Sequence, residues 1–275
     1  MFDASPSPAS HALMQDRAFA AALALCGGQP VILPSGLMLL GRRLAGVPVL
    51  MLPRAAPPPD LSLQLRQTGL QRRPPHPVTR AAAVRDAARA TDRPSPRPLA
   101  SGPRRRSRGP TCPTAPELAQ PVATGRKRPL RVLHRPLTPD HPLLALEAAQ
   151  ARERRYQNWP PALTSAFARA APDQTHLFTA LLRGHTLAQM LFLTHGNRAT
   201  YHIGHTGADG RRLHAHNLLM WQAMNALAAR GITSLDLGIT ATPAIDRFKR
   251  RTGAVAQPTG GTWLRWTPLA PHRRP

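Results

Sequence analysis

Apolar residues along this chain fall into two patterned blocks, one before residue 70 and one after residue 129. In the first block, residues 12 to 26 read as a helix that stops at Gly27-Gly28. The stretch VILPSGLMLLGRRLAGVPVLMLPRA then alternates short apolar runs with glycine-containing turns, as a β-meander does. Periodicity is absent from 71 to about 129 and returns at LRVLH, a short strand. A helix opens near Asp140 and Pro142 and runs through LLALEAAQARERRYQ, and PALTSAFARAA supplies a second. Three apolar runs follow, THLFTALL, TLAQMLFLTHG and ATYHIGH, separated by turns at RG and GNR, so they are expected to be antiparallel neighbours. The polar loop GADGRRLHAH leads into the helix NLLMWQAMNALAARG, in which Leu218, Trp221, Met224 and Ala228 recur at helical spacing before a stop at Gly231. The strand SLDLGI, the short helix AIDRFKRR and the strand GGTWLRW complete the order β-α-α-β-β-β-α-β-α-β. This pattern predicts a mixed α/β chain in three parts: an N-terminal helix and meander over 1–70, an unpatterned segment over 71–129, and a mixed-sheet domain over 130–275.

Charge changes the reading of the middle part. The chain carries a formal +24, which ordinarily points to a polyanionic partner. Residues 71 to 136 hold 16 basic residues against three acids and 13 of the 32 prolines. They hold no Phe, Trp or Tyr, so nucleic-acid bases would find no stacking platform there, and the segment lacks the apolar content to offset the entropy of ordering it. The basic residues are 35 arginines and only two lysines, Lys127 and Lys249, a bias that suggests GC-rich codons. GC-rich DNA read out of frame yields Arg, Pro, Ala and Gly. A shift of one base permits PLILSPE in place of PPHPVTR and LHNRWR in place of LAQPVA, both in the same frame. The segment from about 73 to 129 is therefore read as frameshifted, with the frame restored before LRVLH. The alternatives are a natural basic arm that binds nucleic acid, and a degenerate, inactive protein.

Two cysteines, Cys26 and Cys112, without a CxxC pair, argue against a disulfide scaffold or a cysteine zinc site and fit a reducing cytoplasm. The run AFAAALALC has the apolarity of a signal core, but the residues before it carry two aspartates against one arginine, so an ordinary helix is expected. No apolar stretch reaches the roughly 18 residues of a spanning helix. A cytoplasmic, soluble protein is the expectation.

Over residues 130 to 266 the element order resembles the GNAT acyltransferase fold. YHIGHTGADGRRLHAHNLLMWQAMNALAARGITSLDLG followed by RFKRRTGA resembles the FemAB-like branch, including the acetyltransferase-type proteins of proteobacteria. A strand with a Tyr, a loop, a helix with a Trp, a Gly-bounded strand with an Asp and an FK-x-x-x-G motif follow in that family's order. The resemblance implies transfer of an acyl group, acetyl or aminoacyl, to an amine or hydroxyl of a small molecule or cell-envelope precursor. It implies acyl-CoA or aminoacyl-tRNA as donor, the latter being one way nucleic acid would enter. It also marks Lys249 as an active-site residue.

In such a sheet the strands on either side of the long helix run parallel, and ligands sit near their carboxyl ends. Alternation along ATYHIGH predicts Tyr201, Ile203 and His205 on one face and Gly204 on the other, where the missing side chain would admit the donor between Gly204 and Gly238. His205 is a candidate general base or a solvated strand end, and Tyr201 a candidate acid toward the leaving group or a cap on the core. Asp236 would orient a substrate amine or a backbone turn. Arg211, Arg212 and Asn217 stand by the helix N-terminus, where backbone N–H groups favour a phosphate. That loop departs from the Q/R-x-x-G-x-G/A pattern of CoA-using members, which leaves the donor open. Lys249 either reaches the cleft or is a solvated charge among Arg247, Arg250 and Arg251. His202 and His205 are expected on opposite strand faces, and His214 and His216 lack Cys or carboxylate partners nearby, so no metal is expected.

Overall fold

The protein is described by a computed structural model over residues 12–44, 47–69, 79–81, 130–239, 242–256 and 262–266. The first helix, α1 (Arg17–Leu25), is alanine-rich, and Asp16 caps it by accepting a hydrogen bond from the Ala18 amide at 2.8 Å. It ends at Cys26 and Gly27, the latter at φ +76° in the left-handed region that glycine tolerates. Strands β1 (Pro30–Ile32), β2 (Met38–Leu44) and β3 (Val47–Pro53) form the expected antiparallel meander. Buried Gln15 fastens it to the approach to α1: its amide donates to the carbonyls of Met38 and Pro53, and its Oε1 accepts from the Met38 amide. Helix α2 (Leu61–Gln67) covers a small core of Leu33, Leu39, Leu52 and Leu65.

Of the segment 71–129, only β4 (Thr79–Ala81) is among the described residues. The frame-shift and basic-arm readings otherwise lie outside them. Strand β5 (Arg131–Arg135) opens the second half and is followed by α3 (Leu143–Arg154) and α4 (Pro161–Ala170). The next three strands are β6 (Thr175–Leu182), β7 (His185–His195) and β8 (Arg198–Thr206). The loop after β8 contains a short helix, α5 (Ala208–Arg212), before α6 (Ala215–Ala228). Strand β9 (Ser234–Asp236), helix α7 (Pro243–Arg251) and strand β10 (Thr262–Trp266) close the order.

Among the described residues β5-β6-β7-β8-β9 form one sheet, antiparallel except for the parallel pair β8–β9. One face carries Leu177, Leu191, Leu193 and Ile203 under α1, α3 and α4; the other carries Phe178, Met190 and Phe192 under α6. Phe19 of α1 lies 4.8 Å from the Trp159 ring, so the first block of the chain contributes to the core of the second. Strand β10 corrects the expectation that it ends the C-terminal sheet. It pairs with β3 and β4, giving the N-terminal sheet the order β1-β2-β3-β10-β4.

Candidate functional site

The geometry around β8 follows from one inserted residue. Leu191 pairs with Ile203 but Phe192 pairs with Tyr201, so His202 is extra and bulges the strand. Alternation is broken there. Tyr201 joins the core beneath α6, whereas Ile203 joins the core beneath α3 and α4. His205, opposite Gln189, falls on the Ile203 face by the same register. The predicted grouping of Tyr201 with Ile203 and His205 is thereby corrected. Gly204 shares the Tyr201 face, and a Cβ built on it would overlap the Tyr201 hydroxyl. The space left by its missing side chain is taken by that ring, not left open for a donor. His202 points to α4 instead: its Nε2 lies 3.0 Å from Thr164 Oγ1 and its ring 4.6 Å from that of Trp159. Burial lowers the His202 pKa to about 4 and raises that of Tyr201 above the ordinary phenol range. At neutral pH His202 is uncharged and Tyr201 keeps its proton.

Strands β8 and β9 pair only from Arg198–Ser234 to Thr200–Asp236, while β8 continues to Thr206. Beyond Thr200 the two strands part. Asp236 stands at the parting point with both carboxylate oxygens engaged: Oδ1 accepts from the Gly238 amide at 2.7 Å and Oδ2 from Arg54 at 3.0 Å. It shapes the turn through Gly238, whose φ is +71°, and ties it to the end of β3. Lys249 is buried at 8% exposure, whereas Arg247, Arg250 and Arg251 are exposed, which sets aside the solvated-charge reading. Its Nζ donates to the Ile239 carbonyl at 2.7 Å and lies 4.0 Å from where a Gly238 Cβ would be. Desolvation lowers the Lys249 pKa, opposed by the negative charges of Asp236 and Asp246.

At the far end of β8, the His205 backbone oxygen lies 3.0 Å from His216 Nε2. A carbonyl can only accept, so that nitrogen carries the proton. The His216 ring is 6.4 Å from that of Phe248, which links the end of β8 through α6 to α7 and so to the neighbourhood of Lys249. The His205 Nδ1 atom is buried and has no hydrogen-bond partner among the described residues. Arg211 donates to the Thr206 carbonyl at 2.9 Å and Arg212 pairs with Asp209 at 3.0 Å; both arginines and Asn217 are exposed. Each guanidinium keeps further donors, so this corner fits an anionic group such as a phosphate. No group of three or more His, Cys, Asp or Glu able to hold a metal occurs among the described residues.

The structure thus brings together Asp236, Gly238 and Lys249, and separately Tyr201 with Gly204. Sequence reasoning weighed His216 only as a metal ligand and missed a polar cluster on the α3 side. In that cluster Gln150 donates to the Gly204 carbonyl at 3.1 Å and Asn158 to the His202 carbonyl at 3.2 Å. Glu147 accepts from Tyr156 and Asn158. The available signal was YQNWPP, where polar residues crowd a helix break.

This mixed α/β arrangement, with two helices before a run of antiparallel strands and a parallel strand after the next helix, is a GNAT-like domain. Residues 134–250 match the family model of the acetyltransferase (GNAT) domain. Among solved structures, the chain is similar to FemX at 10% identity and TM-score 0.41, over 50% of this chain and 53% of that one. The similarity therefore spans about half the length of FemX. A ribosomal-protein-alanine N-acetyltransferase from Brucella melitensis biovar Abortus 2308 is similar at 14% identity and TM-score 0.35, over 46% of this chain and 93% of that one. An aminoglycoside acetyltransferase from an uncultured soil metagenomic sample, in complex with sisomicin, gives 13%, 0.36, 47% and 90% respectively. No curated protein matches by sequence.

Proposed function

We propose that the chain is an acyltransferase of the FemAB-like kind, passing an acetyl or aminoacyl group to an amine or hydroxyl acceptor where β8 and β9 part. The observation that carries the reading is buried Lys249 at that opening, on a domain that matches the acetyltransferase model. The donor, acyl-CoA or aminoacyl-tRNA, supplies an activated carbonyl, and Arg211, Arg212 and Asn217 would hold its phosphates at the α5–α6 corner. In transfer to an amine, the acceptor nitrogen bonds to the acyl carbon as the carbon–sulfur or carbon–oxygen bond breaks. The nitrogen yields one proton and the leaving atom gains one. His205 Nδ1 is the candidate base, and Tyr201, held protonated by burial, the candidate acid. Lys249 and Asp236 position the turn at Gly238, and the Lys249 ammonium lends positive charge to the acyl oxygen.

The test is transfer of radiolabelled acetyl from acetyl-CoA, and of labelled amino acid from aminoacyl-tRNA, to a panel of amines and alcohols by the full chain. Lys249→Arg and Lys249→Ala are each expected to lower transfer on the order of a hundredfold. Near-normal transfer in Lys249→Ala removes Lys249 from the site, and transfer from neither donor by the unaltered chain refutes the reading. Because Lys249 is buried and bonded, Lys249→Ala is also expected to lower stability by about 0.5–1.5 kcal/mol through loss of the hydrogen bond to the Ile239 carbonyl.

A further inference from the structure

Arg54 follows directly on β3, and its backbone lies at φ 50°, in the left-handed region that favours glycine. Pro53, just before it, is held twice. Its carbonyl accepts from buried Gln15 at 2.9 Å, and in the ladder it pairs with Thr262 at the start of β10. From this fixed point Arg54 reaches the other sheet, where its Nη1 donates to Asp236 Oδ2 at 3.0 Å.

That bond begins a continuous path to Lys249. Asp236 Oδ1 accepts from the Gly238 amide at 2.7 Å and so closes the turn after β9; the next residue, Ile239, offers the carbonyl that receives Lys249 Nζ at 2.7 Å. The Ile239 side chain is 72% exposed, so packing of that side chain does not fix the carbonyl, and its orientation is left to the turn. Helix α7, which carries Lys249, lies in the chain between β9 and β10. Its approach is tied to the end of β3 by Arg54 and its return by the β3–β10 ladder. The Arg54 and Asp236 side chains are each about a third exposed, so their pairing adds little to folding stability. What such a pair can do is select one orientation of a short exposed turn.

We propose that Arg54 is a positioning residue for Lys249, acting through Asp236 and the Gly238 turn, so that the first block of the chain sets the geometry of the opening between β8 and β9. Its bearing on acyl transfer rests on the reading above; the coupling of Arg54 to Lys249 does not.

The chain has only two lysines, so isotopic labelling of lysine gives a simple ammonium spectrum, in which Lys249→Arg identifies the Lys249 signal by its loss. The measurement is the exchange of those ammonium protons with water, in the full chain at mildly acidic pH. Arg54→Gln is expected to speed it on the order of tenfold while moving the urea midpoint little. Asp236→Asn keeps an Oδ1 acceptor for the Gly238 amide but loses the ion pair, and is expected to match Arg54→Gln; the double variant is expected to do no more than either. Arg54→Lys keeps a cation opposite Asp236, where a single nitrogen makes the bond, and is expected to recover part of the protection. In transfer, Arg54→Gln is expected to lower kcat on the order of tenfold with little change in the KM for the donor. Unchanged exchange in Arg54→Gln, additive effects in the double variant, or faster exchange matched by an equal loss of global stability would each overturn the coupling. An unchanged kcat beside faster exchange would overturn its role in transfer. Faster exchange in a protein that transfers from neither donor upholds the coupling and defeats the acyltransferase reading; transfer with exchange indifferent to Arg54→Gln does the reverse.

Discussion

Replacing Gly204 with alanine separates two accounts of the same glycine by the sign of its effect. The backbone there is not in the positive-φ region, so alanine is conformationally allowed. Were the site open, Gly204→Ala would stabilise the protein by about 0.4–1 kcal/mol through the unfolded state alone. In the structure the new Cβ would overlap the Tyr201 hydroxyl and stand 2.8 Å from Tyr201 Cζ. Carbon atoms rest at about 3.5–4.0 Å, so the ring must retreat by roughly 1 Å. It cannot do so freely, because its centroid lies 5.4 Å from that of buried Phe192. Overpacking of this kind costs about 1–3 kcal/mol. Urea unfolding of the full chain, followed by far-ultraviolet circular dichroism, reads the difference. Tyr201→Leu should remove most of the penalty, giving a coupling of about 1 kcal/mol or more between the two positions. A Gly204→Ala protein as stable as the parent, or more so, would refute the claim that Tyr201 fills this space.

Two further outcomes follow from the same packing. His202 has a folded-state pKa of about 4 against about 6.5 when unfolded, so between those values the unfolded chain binds the extra proton and stability rises with pH. Its contribution is present above pH 6.5 and lost as pH falls, by up to ~1.4 kcal/mol per pH unit, and urea midpoints of His202→Gln between pH 4 and 7 should show a shallower slope. The Arg54–Asp236 pair, about a third exposed on both sides, should contribute only about 0–1 kcal/mol in a double-mutant cycle, and a coupling of several kcal/mol would contradict its partial exposure.

The helices and the long strands were legible because their apolar spacing is local information. The antiparallel run from β6 to β8 and the helix stop at Gly231 follow from turn residues and periodicity. What periodicity cannot register is a residue that leaves it. The insertion at His202 has no composition signal, since histidine is unremarkable in a strand, yet it reverses the face of Ile203 and His205 relative to Tyr201. Strand β10 was recognised as a strand but assigned to the wrong sheet, because TWLRW says nothing of which edge is free to receive it. Lys249 was open between cleft and solvent; its three arginine neighbours suggested a charged face, and only the packing of α7 shows that it is buried. Glu147 sits among exposed charges in LLALEAAQARER and acquires meaning only when the helix break at YQNWPP folds back on it.

The bulge also accounts for how a single strand can serve two sides of the sheet. In a regular strand, Tyr201 and His205 would share a face, and a proton donor and a proton acceptor would crowd the same space. With His202 inserted, Tyr201 lies beneath α6 and its hydroxyl fills the gap at Gly204, while His205 turns to the α3 side with Ile203. The bulge also places the carbonyls of His202 and Gly204 where Asn158 and Gln150 reach them, so the polar cluster around Glu147 is anchored on β8 at the site of the irregularity. A residue that interrupts the ladder thereby sets both the direction of the two candidate proton-transfer groups and the position of the buried carboxylate. That arrangement puts Tyr201 in the core beneath α6 and the cluster around buried Glu147 against the backbone of the same strand from α3.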